Sequence, residues 1–271
     1  MTRTRAASGF SVDALTLDAA VERALALLAS GRGGQIVTLN PEMLMRARRD
    51  PNLRAIIANA ALVTADGMGI VWAARLAGVA IPQRVTGIDF SAALMARAAA
   101  SGVTTYLLGA EPGVAEAAAR ALSQRTLGAQ IAGAWHGAPE PRADAEAIER
   151  LRASGARVAL VAYGSPAQEY WIARNLPALP GALAIGVGGA LDVWAGHVAR
   201  APRWMRAAGL EWVYRLAREP WRWRRMLALP VFGALALLRA LQTRFMGAPA
   251  LIMARPIPPT ETHGEHENES H

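Results

Sequence analysis

A chain of 271 residues, 53% of them apolar and 18% charged, can bury one sizeable core with or without an appendage. It holds no cysteine, which excludes a disulfide framework and thiolate chemistry. Its 29 basic residues are all arginine, the formal charge is +8, and the net positive field of Arg203–Arg225 favours phosphates, nucleic acid or anionic lipid headgroups as partners.

The first segment, MTRTRAASGFSVDALTL, is basic but has no apolar run, so no secretory signal is expected. A helix is expected within Ser11–Ala29, from about Thr16, with Asp13 or Thr16 as its cap. Short apolar runs bounded by Gly, Asp or Pro then alternate with Ala-rich segments of helical period. The runs are Gln35–Leu39, Ala61–Thr64, Thr104–Leu108, Gln130–Ala132, Arg157–Ala162 and Ala182–Val187, and they read as buried strands. The helical segments are Met43–Ala58, Ile70–Leu76, Phe90–Ala100, Val114–Arg125, Ala143–Ser154 and Ala167–Asn175. This alternation predicts an α/β fold, a Rossmann-like parallel sheet covered by helices on both faces. Ligands of such sheets bind beyond the carboxyl ends of the strands.

The strand tips therefore carry the candidate site. After the first run, Thr38-Leu39-Asn40-Pro41 places Asn40 as the N-cap of a helix that Pro41 opens. After the second, Asp66 either caps the next helix or faces the cleft as a general base. Arg84 can clamp a phosphate, while Asp89 can cap a helix or pair with Arg84. Gly109 lies in a glycine-bearing turn that opens a helix and can present N–H groups to a phosphate. Ser165-Pro166 reads as a cap and first helical residue, with Glu169 near the capping-box position and Gln168 free to read a base or sugar hydroxyl. Gly186, Gly188 and Gly189 follow the last run. That turn matches half of a dinucleotide fingerprint, but Leu191 stands at the third glycine's position, which argues against a nicotinamide enzyme.

The core is expected over 1–195, a helical appendage over 196–255 and a disordered tail over 256–271. The tail's His263, His266 and His271 read as solvated side chains rather than metal ligands. Within the appendage, seven arginines from Arg203 to Arg225 face only Glu211 and Glu219 as acids. The apolar run Met226–Leu238, interrupted by Pro230, is shorter than the ~20 residues a spanning helix needs. With Trp221 and Trp223 beside it, it suits a membrane interface. No Asp-x-Asp pair, His-x-x-x-His, P-loop or Gly-x-Ser-x-Gly occurs, so no metal and no cofactor are expected.

The ordered blocks TLNPEM (Thr38–Met43), ADGMGI (Ala65–Ile70), RVTGIDF (Arg84–Phe90), LLGAEPG, GSPAQEYW, GVGGALDVWAG and RAPRWMRAAGLEWVYRLAREPWRWRR resemble the WecG/TagA/CpsF glycosyltransferases from about Phe10 to Phe245. The chain has Ala167 where that family more often has Lys, so no phosphate contact is carried over to that side chain. The resemblance implies a metal-independent, inverting transfer from a UDP-sugar to a polyprenyl-diphosphate-linked acceptor. The sugar would be N-acetylmannosamine, its uronic acid or glucose. The products would be precursors of wall teichoic acid, enterobacterial common antigen or exopolysaccharide. Asp66 would then be the base, and Thr38, Asn40, Arg84, Gln168, Gly109, Gly186, Gly188 and Gly189 would hold the substrate. The family's C-terminal arginines match Arg215, Arg222 and Arg225, which would hold the lipid diphosphate. The enzyme would work on the cytoplasmic face of the cell membrane, peripherally attached, as a monomer or a homo-oligomer. Two other readings fit the residues: a non-catalytic UDP-sugar-binding protein at the membrane, and a nucleic-acid binder. The second has the charge but no recognised nucleic-acid motif.

Overall fold

The computed structural model describes residues 9–125, 129–220, 223 and 227–255. The chain opens with β1 (Phe10–Val12), α1 (Leu17–Ala29), β2 (Gly34–Leu39), α2 (Pro41–Ala47), α3 (Pro51–Asn59), β3 (Leu62–Ala65), α4 (Met68–Leu76) and α5 (Gly87–Ala99). It continues with β4 (Thr105–Gly109), α6 (Val114–Arg125), β5 (Ile131–Trp135), α7 (Asp144–Ala153), β6 (Val158–Ala162), α8 (Ala167–Asn175), β7 (Leu183–Gly186) and α9 (Ala190–Trp194). The last part holds α10 (Arg203–Ala207), α11 (Glu211–Arg218), α12 (Ala228–Met246) and β8 (Ile252–Ala254).

Six strands form one parallel sheet in the order β3-β2-β7-β6-β4-β5. Successive side chains of a strand point to opposite faces, so each strand feeds two cores. Ile36, Leu62, Leu160 and Ile185 join a buried cluster with α1, α5 and α6 on one face. Val37, Val63, Ala159 and Val161 point the other way, into clusters built with α2, α4, α7 and α8. Both faces are covered, as continuous apolar strands require.

The single helix expected over Met43–Ala58 is two. Pro51 has no N–H and cannot sit inside a helix, so it opens α3 instead. Asp50 caps that second helix, accepting from the N–H groups of Asn52 and Leu53 and from the Tyr170 hydroxyl. α5 begins three residues before the expected Phe90, because the Thr86 hydroxyl caps it by accepting the Asp89 N–H. Of the apolar run near the end, residues 228–238 belong to the 19-residue α12. Pro230 lies in its first turn, where a missing N–H costs nothing, so it helps to start the helix rather than interrupting the apolar run. No described helix is long and apolar enough to cross a membrane. The expected tail, 256–271, lies outside the described residues.

The C-terminal segment docks on the α/β unit at both ends. Phe232 and Ala236 of α12 are buried with residues of α2 and α4. β8 then pairs with β1 in parallel, Phe10 against Ile252 and Val12 against Ala254. Arg255 fastens this ribbon, donating to the Ala60 carbonyl at 2.8 Å and lying 3.5 Å from the Asp13 carboxylate. Asp13 in turn accepts the Val63 N–H of β3 at 2.7 Å. The opposite face of α12 presents Val231, Leu237, Leu238, Leu241 and Phe245 to solvent.

Candidate functional site

The site forms where β2 and β3 end. Asn40 caps α2, its Oδ1 accepting the Met43 N–H at 2.9 Å. Thr38, one turn of the pleat earlier, is buried. The Asp66 N–H donates to the Leu39 carbonyl at 2.8 Å, so the first residue beyond β3 is fixed beside the end of β2. Gly67 turns the chain into α4 with φ of 94°, a conformation that disfavours any side chain. No side chain caps α4, so Asp66 is not spent on its own helix. Its Oδ2 instead accepts the Gly87 N–H at 3.3 Å.

Gly87 is brought there by the segment that precedes α5. The Val85 N–H donates to the Ala65 carbonyl at 3.0 Å, and the Thr64 hydroxyl donates to the Val85 carbonyl at 3.2 Å. A Cβ on Gly87 would lie 3.2 Å from Thr38 Oγ1, so Thr38, Asp66 and Gly87 share one tight corner. Arg84 enters the same corner from the start of this segment.

The C-terminal arm supplies the remaining charges. Gly209, between α10 and α11, sits so close to α4 that a Cβ there would meet Met68 Cγ at 2.6 Å. This places Glu211 over the site, with one carboxylate oxygen 3.7 Å from Arg84 Nη1 and the other 3.9 Å from Arg200 Nε. Arg200 donates two hydrogen bonds to Asp89, at 2.6 and 2.7 Å. Thr86 also donates to Asp89, at 2.7 Å. Asp89 therefore pairs with Arg200, not with Arg84, and the helix cap is Thr86. Burial alone would raise the Asp89 pKa; the guanidinium and hydroxyl donors outweigh it and hold the group below its ordinary value.

Asp66 is perturbed the other way. Burial pushes its pKa up to about 6, and the negative charge of Glu211 adds to the effect. The Gly87 N–H, Arg84 and Arg215 oppose the shift without cancelling it. A carboxylate tuned toward neutrality at the tip of a strand is suited to taking a proton at physiological pH.

The turn after β7 is built by a different logic. Gln168 is buried; its Oε1 accepts the Gly188 N–H at 3.0 Å and its Nε2 donates to Glu169 at 2.8 Å. Its amide braces the turn from below. A Cβ on Gly186 would meet Gln168 Nε2 at 2.5 Å and push that amide from its place, and Gly188 has φ of 51°, which favours glycine. Glu169 is buried beside Gln168, and burial raises its pKa. Ser165 does not cap α8; that helix starts after Pro166 with no side-chain cap, and the Ser165 hydroxyl is turned toward the buried Glu169 instead. At the end of β4, Gly109 takes φ of 108° and a Cβ there would strike the Ala162 backbone at 2.7 Å, so glycine is needed on both counts.

The structure thus gathers Thr38, Asn40, Asp66 and Arg84, with Arg215 close enough to act on the charge of Asp66. Gly186 ends β7, the neighbour of β2, and Gly188 and Gly189 lie in the turn that follows it. Gly109 lies farther along the same edge, beyond β6. Arg222 and Arg225 lie outside the described residues. Sequence reasoning missed Thr86, Arg200 and Glu211. Glu211 did carry a signal, as an isolated acid within an arginine-rich segment. Among the described residues, no group of three His, Asp or Glu could hold a metal ion.

Two comparisons bear on this arrangement. The sequence profile described as "Glycosyl transferase WecG/TagA/CpsF family" matches residues 5–245. The chain is also 33% identical over 205 residues to an N-acetylglucosaminyldiphosphoundecaprenol N-acetyl-beta-D-mannosaminyltransferase of Bacillus spizizenii. That alignment covers 76% of this chain and 79% of the relative.

Proposed function

The chain belongs to the WecG/TagA/CpsF family and is a glycosyltransferase, and on that premise we propose that it moves a sugar from UDP to a polyprenyl-diphosphate-linked acceptor sugar with inversion. The name of the Bacillus relative supports N-acetylmannosamine as the sugar and an N-acetylglucosamine-capped lipid as the acceptor. The uronic acid of N-acetylmannosamine and glucose are the other donors the site is to be offered.

In this reading the acceptor hydroxyl attacks the anomeric carbon as the bond to the UDP oxygen breaks. The electron pair leaves with UDP, and the hydroxyl proton passes to Asp66. A carboxylate is a weak base, so it acts late, once the oxocarbenium-like centre has acidified the hydroxyl. Thr38 and the amide nitrogen of Asn40 orient the sugar. Arg84 meets the charge that develops on the leaving diphosphate. Gly186, Gly188 and Gly189 line the nucleotide pocket, with Gln168 beneath them, and Gly109 borders it. Arg215, with Arg222 and Arg225, holds the lipid-linked diphosphate. The exposed apolar face of α12 rests on the cytoplasmic surface of the membrane, where the acceptor is anchored.

The observation that carries this reading is the Asp66 carboxyl, bonded to the Gly87 N–H rather than spent as a helix cap, its pKa raised to about 6, beside Thr38 and under the C-terminal arm. The test is incubation with UDP-sugars and a short-chain prenyl-diphosphate-N-acetylglucosamine. The expected result is UDP release with a disaccharide whose new linkage has the opposite anomeric configuration to the donor. A full panel of UDP-sugars giving no lipid-linked product would overturn it.

A further inference from the structure

Arg200 reaches the site from the loop before α10. Its Nη1 and Nη2 are both bound to Asp89, a two-point contact that fixes the plane of the guanidinium. Its third donor, Nε, is buried and has no hydrogen-bond partner. Glu211 Oε1 lies 3.9 Å from it, beyond hydrogen-bond reach. The other oxygen of Glu211 lies 3.7 Å from Arg84 Nη1, again too far to bond. The three side chains are only 16%, 18% and 20% exposed for Arg84, Glu211 and Arg200.

One carboxylate therefore straddles two shielded guanidinium groups and hydrogen-bonds neither. A buried guanidinium N–H without an acceptor is unfavourable, and a single negative charge at these distances compensates it poorly. A diphosphate brings more charge and tetrahedral oxygens that can reach both cations. Asp89 and Thr86 hold Arg200 in a fixed pose, so that cation waits without needing to be ordered.

We propose that Arg84 and Arg200 form a two-guanidinium seat for a diphosphate group, and that Glu211 is the resident counter-ion which the diphosphate displaces. The identification of the anion rests on the glycosyl-transfer reading, in which both the nucleotide donor and the lipid acceptor carry a diphosphate. Because Glu211 is the first residue of α11, filling the seat also removes the charge that ties this helix to Arg84.

The test is calorimetric titration of the full chain with inorganic pyrophosphate, UDP, uridine and a short-chain prenyl-diphosphate-N-acetylglucosamine. Glu211→Gln, nearly isosteric, is expected to bind pyrophosphate about threefold or more tightly than the parent, since the competitor is gone. Arg200→Gln is expected to bind it about tenfold more weakly. Uridine, which lacks phosphate, should bind all variants alike. Should Arg200→Gln melt early, Arg200→Lys keeps the charge but loses the fixed fork, and is expected to weaken pyrophosphate as well. A larger Glu211→Gln gain with UDP assigns the seat to the donor; a larger gain with the prenyl diphosphate assigns it to the acceptor. Unchanged or weaker pyrophosphate binding by Glu211→Gln, or parental binding by folded Arg200 variants, would overturn the proposal. Pyrophosphate binding needs no sugar transfer. A protein that turns over no UDP-sugar yet shows these affinities loses the functional reading and keeps this one; flat affinities in an active enzyme do the reverse.

Discussion

The Oδ2 of Asp66 accepts the backbone N–H of Gly87 at 3.3 Å, joining the tip of β3 to the first turn of α5. That one contact takes the carboxylate away from the helix behind it and aims it across the corner that Thr38 closes. Asp66→Asn retains an oxygen for the Gly87 N–H but cannot take a proton. It is expected to lower turnover by about 10³-fold or more while UDP binding is spared. Single-turnover assays alongside UDP titration check this, and near-parental turnover would remove Asp66 as the base.

The same substitution should stabilise the fold. A carboxyl whose folded pKa is raised favours the protonated state, so its ionisation opposes folding. The penalty is absent below about pH 4, grows as pH rises, and is complete above about pH 6. At pH 8 Asp66→Asn is therefore expected to gain roughly 1–3 kcal/mol in denaturant unfolding, and close to nothing at pH 4. Equal gains at both pH values would contradict the assignment of a perturbed pKa.

The rate of transfer should rise with pH through a midpoint near 6, because only ionised Asp66 accepts a proton. Glu211 raises that pKa, whereas Arg84, Arg215 and the Gly87 N–H lower it. Glu211→Gln should consequently move the acid limb of kcat/KM to lower pH. Arg215→Gln should move it to higher pH. A limb that stays put in both variants would show that another group controls the profile.

Phe232 sets the arm against the core: it is 4% exposed, and a Cβ added to Gly69 would lie 3.4 Å from its ring. Phe232→Ala is expected to cost about 3–4 kcal/mol in unfolding free energy. It should also raise KM, since Gly67–Gly69 lead directly out of Asp66. A loss of under 1 kcal/mol would mean that α12 is not held by this contact.

The outward face of α12 gives a prediction about location. Leu238→Glu and Phe245→Glu lie on exposed positions, 52% and 75% accessible, so neither should change the melting temperature appreciably. Together they are expected to reduce sedimentation with anionic vesicles several-fold, because each places a charge where an apolar contact is needed. Unaltered sedimentation would leave the apolar face without a membrane role.

The sheet was readable because β2, β3, β4, β6 and β7 are buried on both faces and so appear as mainly apolar runs, while the edge strand β5 is only half-buried. Asp66 was readable for a related reason, since a carboxylate directly after such a run must stand at the sheet's edge. Asn40 was read both as a cap and as a ligand group, and its oxygen is found capping α2. β1 and β8 were not visible, since three residues each leave no periodicity to detect. The pairing of Asp89 with Arg200 was equally hidden, because it joins residues 111 positions apart and no local pattern encodes it. The local pattern leaves the Gln168 amide free for a ligand, whereas its capture of the Gly188 N–H depends on how β6 and β7 lie side by side.

The ribbon of β1 and β8 has a bearing on how the polypeptide matures. Phe10 and Val12 leave the ribosome well before their partner strand, which is made about 240 residues later. Such distant contacts close slowly. Until then Phe10 and Val12 have no hydrogen-bonded neighbour strand, and α12 has only one of its two moorings. Nascent chains halted after β7 should therefore be easily cut by protease around Phe10, and acquire resistance there only when Ile252 has emerged.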